Sequence, residues 1–302
     1  MTTIKRILVP TDFSEPATHA LQYASALAKR VGASLTVMYA DTFLPPVEYA
    51  SGLAIWADST VPLLEERARK QMAEDIKKHV DPDVRAEAIV HIATPAEGIL
   101  EQVKSLPADL IVMGTHGRTG LRRLVFGSVT EAVMRRASVP VLAIPANCAV
   151  TAPMNAIVCP AEDNARGAEG LRLAAALAPP DARFFVIGAV AEDTIDSDDE
   201  IADLDALTPQ ELRGRSKSMV VSAGHMADKI SRLALSLHSD LIVATEPATR
   251  GTTEVMSGTF AEKLLRHHTC PILTLNARMP VGGPAVTLEP VKMARAEAAS
   301  SR

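Results

Sequence analysis

The hydrophobic positions of the chain fall into short apolar runs separated by longer amphipathic segments. Residues 4–9 form the first apolar run, which has the length of a buried strand. Apolar residues then recur at helical spacing over residues 17–31, with Ser14 at an N-cap position and Gly32 at a C-cap position. The next apolar run covers residues 34–40. This βαβ order predicts parallel strands joined by a right-handed crossover.

The same alternation continues through the first half of the chain. A proline-rich segment over residues 41–60 contains the single tryptophan and predicts a long loop. The order β-α-β-α-β-α-β-α-β predicts an α/β fold with an open, doubly wound, Rossmann-like sheet of five parallel strands. The remaining elements are helices over 61–79, 94–105 and 129–136 and strands over 86–91, 109–113 and 139–144.

The second half repeats the first. Segments that start at Asp109, Gly127 and Pro140 recur with similar sequences 131 residues later, the first of them at Asp240. Three separated matches at one offset indicate two copies of one domain. We therefore predict repeated doubly wound domains with a linker between them and a disordered tail. Their bounds are 1–146 and 155–278 for the domains, 147–154 for the linker and 279–302 for the tail.

Composition narrows the class of protein. Of the 302 residues 47% are hydrophobic but only 3% are aromatic, which predicts an aliphatic core. The net charge of −5 argues against sequence-independent nucleic-acid binding. Three cysteines without a CxxC spacing indicate free thiols in a reducing compartment. We find no signal peptide and no membrane-spanning run, so we expect a cytoplasmic protein that does not bind membranes.

The strongest chemical signal is a glycine pattern between the fourth predicted strand and the following helix. Gly114 and Gly117 lie at the strand end, and Gly127 and Ser128 lie at the helix start. Glycine permits positive φ and lets an anion approach the backbone, and a helix N-terminus offers free N–H groups and partial positive charge. The pattern therefore predicts a phosphate-binding loop. Turn-forming glycines and a plain N-cap serine remain the alternative.

With its flanking segments, this pattern resembles the universal stress protein family. Residues 9–14, VPTDFS, resemble the family's opening segment, G-x2-G-x9-G-S matches its ATP-binding motif, and residues 137–142 match its closing strand. The resemblance covers residues 4–146 well and 155–276 more weakly. It implies a tandem member that binds ATP, and triphosphate binding usually brings Mg²⁺.

The resemblance also implies roles for particular residues. Asp12 meets the adenine, and Tyr39 offers backbone hydrogen bonds to the base. Thr130 is either a hydroxyl on the phosphate side or an exposed helix residue. From the residues themselves, His116 is either a ligand contact or a surface histidine. Arg118, Arg122 and Arg123 either add positive potential around the phosphates or are solvated charges that pair with acids elsewhere. The residues that hold the ribose and phosphates are Gly114, Gly117, Gly127 and Ser128.

The second copy lacks most of this pattern. At the repeat offset Thr245 replaces Gly114 and Ala248 replaces Gly117, while Gly258-Thr259 survives. Glu162 takes the place of Asp12 in the matching turn. Because a β-carbon restricts the backbone and crowds an approaching ligand, we predict that this half binds ATP weakly or not at all and serves a structural or partner-binding role.

The resemblance further implies that the two halves pack about a pseudo-twofold axis through their last strands. One chain then forms an intramolecular pseudo-dimer, and pairing with a second chain remains open.

Two further segments allow more than one interpretation, including a metal site. Residues 192–205 contain eight acids and no base, which predicts a solvated, mobile loop rather than a calcium site. His267-His268-Thr269-Cys270 suggests a zinc site, but Cys270 and Cys159 align with residues of buried strands, and we favour a core role for both.

The chemistry of the chain is therefore predicted as ATP binding rather than catalysis. There is no Walker A lysine pattern and no kinase signature. An ATP sensor that presents a surface to a protein partner is the leading hypothesis. A non-nucleotide interaction module and a slow ATP hydrolase are the alternatives.

Overall fold

The computed structural model describes residues 3–43, 60–106, 108–116, 127–150, 154–161, 164–190, 198–222, 225–245, 264 and 270–275. The first half contains β1 (Arg6–Thr11), α1 (Glu15–Val31), β2 (Ser34–Asp41), α2 (Val61–His79), β3 (Ala86–Ile92), α3 (Pro95–Ser105), β4 (Leu110–Gly114), α4 (Ser128–Arg136) and β5 (Val141–Ile144). The second half contains β6 (Ala156–Pro160), α5 (Asn164–Leu177), β7 (Arg183–Val190), α6 (Asp198–Leu207), a 3₁₀ helix (Gln210–Arg215), β8 (Ser216–Ser222), α7 (Met226–Ser236), β9 (Leu241–Thr245) and β10 (Ile272–Leu275).

All ten described strands belong to one sheet, in the order β3-β2-β1-β4-β5-β10-β9-β6-β7-β8. Every neighbouring pair within a half is parallel, which confirms the doubly wound prediction. The halves meet at β5 and β10, which are antiparallel, with Leu142 opposite Leu273. The last strands therefore pair as the resemblance implied, and the two five-stranded sheets merge into one.

The repeat is visible in its hydrogen bonds. The Oδ2 atom of Asp109 accepts bonds from the backbone N–H groups of Lys5 and Arg6 at 2.8 and 2.9 Å. Asp240, the counterpart of Asp109, accepts bonds from two backbone N–H groups at the start of β6 at 2.8 and 3.0 Å. In each half an aspartate thus ties the fourth strand to the beginning of the first.

The core lies in two layers, one on each face of the sheet. Strand side chains alternate between the layers, so that Ile7 and Val9 pack on one face and Leu8 on the other. Helices α1, α2, α5 and α6 cover the first face, and α3, α4 and α7 cover the second. The side chains are mainly Ala, Leu, Ile and Val, as the composition predicts.

The caps predicted for α1 are both present. The Oγ atom of Ser14 accepts a bond from the Ala17 N–H at 3.3 Å. Gly32 ends the helix with φ 71°, the left-handed conformation that favours glycine.

The acidic segment differs from the prediction. Residues 198–207 form helix α6 rather than a loop. Three acids in the first turn stabilise the helix, because their negative charge lies at the positive end of the helix dipole. Leu204 also packs closely against Gly188, where an added Cβ would lie 2.8 Å from Leu204 Cδ1. Only the part of the run over residues 191–197 lies outside the described residues.

Other predictions fall wholly or mainly on residues that the structure does not describe. These are the loop over residues 41–60, of which 44–59 are not described, and the tail over 279–302. Among the described residues, no helix has the length and apolar character needed to cross a membrane.

We predict that Leu142→Ala will lower the free energy of unfolding by about 2–5 kcal/mol, because the side chain is fully buried at the junction of the two halves. Urea denaturation followed by circular dichroism measures this change. Leu63→Ala is the control, since Leu63 is 70% exposed and its truncation should change stability by less than about 0.5 kcal/mol. Equal losses in both variants would contradict the prediction.

Candidate functional site

A cavity of about 240 Å³ opens at the carboxyl ends of β1, β2 and β4. Strand β1 lies between β2 and β4, so the cavity occupies the position at which the strand order of the first half reverses. Doubly wound sheets bind ligands at this position. The described residues that line the cavity are Pro10, Thr11, Asp12, Ala17, Met38, Ala40, Pro95, Ile99, Met113, Gly114, His116, Gly127, Ser128, Val129 and Thr130.

One end of the cavity is apolar. Met38 and Ala40 contribute from β2, Met113 from β4, and Pro95 and Ile99 from the first turns of α3. Such a wall suits a flat, largely apolar ring.

The other end of the cavity is formed by the N-terminus of α4. Gly127 is the N-cap residue and supplies no side chain to cap the helix. The first turn-closing bond runs from the Glu131 N–H to the Gly127 carbonyl at 3.1 Å. The N–H groups of residues 128–130 therefore have no acceptor within the helix. Together with the helix dipole they favour an anion at this end.

Two hydrogen bonds fix α4 to the end of β4. The Thr130 hydroxyl donates to the Gly114 carbonyl at 2.9 Å, and the Gly127 N–H donates to the Thr115 carbonyl at 2.8 Å. Thr130 is buried, so the reading as an exposed helix residue is wrong. Because the Thr130 hydroxyl already donates its hydrogen to the Gly114 carbonyl, it can only accept hydrogen bonds from a molecule in the cavity.

Neither Gly114 nor Gly127 has the positive φ that was one of the two predicted reasons for these glycines, and their predicted contact with phosphate stays a prediction. A Cβ on Gly114 would lie 2.9 Å from the Pro16 carbonyl oxygen, so this glycine permits contact with the first turn of α1. Gly127 has φ −67°, an ordinary value for any residue. The explanation by positive φ is therefore wrong at both positions. Ser128 is the first helical residue, so its prediction as the N-cap is also wrong.

Asp12 lies in the cavity wall directly after β1. Its Oδ1 atom accepts a bond from the Ser14 N–H at 3.1 Å and another from the Ser14 hydroxyl at 2.5 Å. These bonds hold the carboxylate at the start of α1 and beside the cavity.

Tyr39 does not line the cavity. Its ring packs on the opposite face of the sheet, 4.7 Å from the ring of Phe13, and its hydroxyl donates to Asp41 Oδ2 at 2.8 Å. Ala40 lines the cavity instead. The pairing of β1 with β2 ends at Thr11 and Tyr39, so Ala40 is the first residue beyond it. The alternation of side chains along β2 was the signal that separates these neighbours.

The remaining predicted residues of the loop have mixed outcomes. His116 is half-buried in the cavity wall, with Nδ1 3.0 Å from the Thr115 hydroxyl, and is not an ordinary surface histidine. Gly117 and the three arginines lie outside the described residues.

The two helices that wall the cavity are joined by an ion pair. Arg136 at the end of α4 donates from Nη2 to Glu97 Oε2 at 2.9 Å. This bond holds the pKa of the Glu97 carboxyl below its ordinary value. Because both side chains are exposed, the pair contributes little stability.

The strand end that corresponds to Gly114 carries a side chain in the second half. Thr245 ends β9 where Gly114 ends β4, and it is buried. Its hydroxyl has no hydrogen-bond partner among the described residues. The facing helix carries Gly170, where an added Cβ would lie 3.3 Å from Thr245 Cγ2. The other positions at which the two copies were compared lie outside the described residues; these are Glu162, Ala248, Gly258 and Thr259.

The cysteines are core residues, as predicted. Burial raises the pKa of the Cys159 thiol well above its usual value and that of Cys270 to about 12. Such thiols are poor nucleophiles at neutral pH. The described residues contain no group of three or more His, Cys, Asp or Glu side chains that could hold a metal. His267 and His268 are not among them.

We predict that Thr130→Val will lower the free energy of unfolding by about 1–3 kcal/mol, because the Gly114 carbonyl loses its buried donor. Thr130→Ser keeps the hydroxyl and serves as the matched control. Urea denaturation measures both variants, and a valine variant as stable as the serine variant would contradict the role of this bond.

Comparison with known proteins agrees with this geometry. The model of the universal stress protein family matches residues 3–145 and again 157–276. Universal stress protein MJ0531 of Methanocaldococcus jannaschii is 32% identical over 144 residues, which are 46% of this chain and 81% of that protein. Stress response protein NhaX of Bacillus subtilis is 30% identical over 160 residues, 46% of this chain and 96% of its own.

A solved structure resembles both halves together. The crystal structure of a universal stress protein from Archaeoglobus fulgidus has a TM-score of 0.66 and covers 91% of this chain and 97% of its own. Its sequence identity is 18%, so the likeness concerns the fold.

Proposed function

The chain belongs to the universal stress protein family, whose members act in the stress response, and we propose that its first half binds ATP. The observation that carries the proposal is the cavity at the β1–β4 position, which has an apolar wall at one end and an uncapped helix N-terminus at the other. A molecule with a flat ring and a polyanionic tail matches both ends.

The residues divide between the parts of the nucleotide. The base would pack against Met38, Ala40 and Ile99, with Ala40 rather than Tyr39 supplying the backbone contact. Asp12 would face the base and sugar. The phosphates would lie at the N–H groups of residues 128–130, beside the protein's Gly114–Thr130 hydrogen bond. Gly127 leaves this approach free of a side chain, and Gly117 is proposed as a further contributor.

The size of the cavity supports this division. Pockets for whole ligands have volumes of roughly 300–1,000 Å³, and this cavity has about 240 Å³. It would hold the base and sugar, and the triphosphate would lie at the N-terminus of α4 and continue out of the cavity.

The same contacts set the expected affinity. Hydrogen bonds to charged groups contribute roughly 1.5–3 kcal/mol each. Three or four such bonds, with partial burial of the base, give a binding free energy near about −8 kcal/mol, or micromolar affinity.

Magnesium would arrive with the nucleotide. Mg²⁺ usually keeps several waters and takes one or two carboxylates together with substrate phosphates. Among the described residues that line the cavity, Asp12 supplies the only carboxylate. The ion would neutralise phosphate charge, and Asp12 would hold it or the water around it.

We propose that the second half has lost this site and serves as a structural or partner-binding domain. Thr245 places a side chain where the first half has none. At the position that corresponds to Gly98 of α3, α7 carries Lys229, whose ammonium donates to the Ser222 carbonyl at 2.9 Å. We also propose a cytoplasmic location, because all three cysteines are free and buried.

Isothermal titration with MgATP tests the proposal. We expect micromolar binding by the full chain and at least about tenfold weaker binding by Ser128→Asp, because a carboxylate at the start of α4 repels phosphate. The same carboxylate interacts favourably with the positive end of the helix dipole, so the variant should be as stable as the wild type.

The control for added charge is Gln210→Glu, an exposed position at the start of the 3₁₀ helix in the second half. It should bind ATP like the wild type. Absence of binding by the wild type, or equal binding by Ser128→Asp, would refute the proposed site.

The asymmetry of the halves gives a separate prediction about stoichiometry. We expect one nucleotide for each chain in the titration, because the second half carries Thr245 and Lys229 at the corresponding positions. Nucleotide released on denaturation and quantified against protein provides an independent measurement. Two molecules for each chain would show that the second half has kept a site.

A further inference from the structure

We infer that Gly98 is a positioning residue that sets the width of the apolar end of the cavity, and with it the part of the affinity that comes from the base. The inference rests on the proposed binding of ATP. It concerns a residue that lies behind the cavity wall and does not line it.

Gly98 lies where α3 crosses β2 at close range. A Cβ at this position would lie 3.0 Å from Ala40 Cβ, 3.2 Å from His91 Cδ2 and 3.3 Å from Ala93 Cβ. Two of these three atoms are β-carbons, which move only with their backbone. Any side chain at position 98 therefore requires α3 to move away from β2.

The same helical turn carries the cavity wall. Pro95 and Ile99 line the cavity from α3, and Ala40 lines it from β2. The separation of α3 from β2 at Gly98 is thus the separation of two walls that would hold the base. Since a glycine inside a helix is destabilising relative to alanine, the close approach is the feature that glycine provides here.

The second half shows the alternative arrangement. Lys229 occupies the corresponding turn of α7 and bonds to Ser222, so this helix carries a long side chain where α3 carries none. The glycine at this helical turn belongs to the half with the described cavity.

The test compares ATP with inorganic tripolyphosphate, which has the phosphates but no base, on the full chain. Gly98→Ala should weaken ATP binding by about tenfold, because overpacking at this contact moves one wall of the base-binding end. Its affinity for tripolyphosphate should stay within about twofold of the wild-type value. Gly214→Ala is the matched control, since an added Cβ there meets nothing within 4 Å, and it should bind both ligands like the wild type.

A methyl swap separates this role from general destabilisation. The double variant Ala40→Gly with Gly98→Ala removes the closest of the three contacts. The loss of ATP affinity in the double variant should be smaller than the product of the fold losses in the two single variants. If Gly98→Ala alone does not fold, the double variant is measured in its place.

The outcomes are distinct. A wild-type chain that does not bind ATP refutes the proposed function. A wild-type chain that binds ATP while Gly98→Ala binds it equally well refutes only the role of Gly98. Equal loss of ATP and tripolyphosphate, or no rescue in the double variant, also refutes that role.

Discussion

The arrangement of the first half depends on the close packing of three elements at Gly114. Its α-carbon faces the first turn of α1, where the Pro16 carbonyl leaves no room for a side chain. Its own carbonyl accepts the hydroxyl of Thr130 from the first turn of α4. One residue therefore places the starts of two helices at the end of β4. Both helix starts contribute to the cavity wall, through Ala17 from α1 and Ser128 from α4.

The pairing of β5 with β10 is the second constraint. A terminal strand of a parallel sheet presents unpaired backbone groups, and each half covers that edge of the other. Because the two copies are covalently joined, this edge is covered within one chain. The sequence at the strand ends of the second half can then change without exposing the β5 edge of the first half, provided that β9 and β10 remain paired.

The periodic elements were predictable because helical and strand patterns are local. The strands and helices of the first half lie within about two residues of their predicted bounds. Tyr39 was predicted for a backbone contact with the base, and that contact stays a prediction. The structure adds that its side chain lies on the opposite face of the sheet from the cavity, which Ala40 lines. Neighbouring strand residues alternate between the two faces, but which face holds the cavity depends on the packing of α3 and α4, which the sequence of β2 does not show.

Helix α6 and Gly114 show why other features were missed. The acids of α6 suggested solvation, but the helix is held by Leu204 against Gly188, a contact between separate elements. Gly114 was predicted as a phosphate contact, and its steric reason lies in Pro16, which is distant in sequence. A single sequence shows that a glycine is present and does not show which atom requires it.

The second half supplies the comparison that separates these causes. At the end of β9 Thr245 takes the place of Gly114 and is buried. Its side chain lies against Gly170 of α5, where an added Cβ would lie 3.3 Å from Thr245 Cγ2. A β-carbon is therefore accepted at this strand end where the covering helix leaves room, and Gly114 answers a different contact, the Pro16 carbonyl of α1. Since both contacts are with the helix that covers the strand end, a glycine at either place sets how closely that helix packs. The proposed nucleotide site depends on Gly114 through this packing and through its carbonyl, which holds Thr130 at the start of α4.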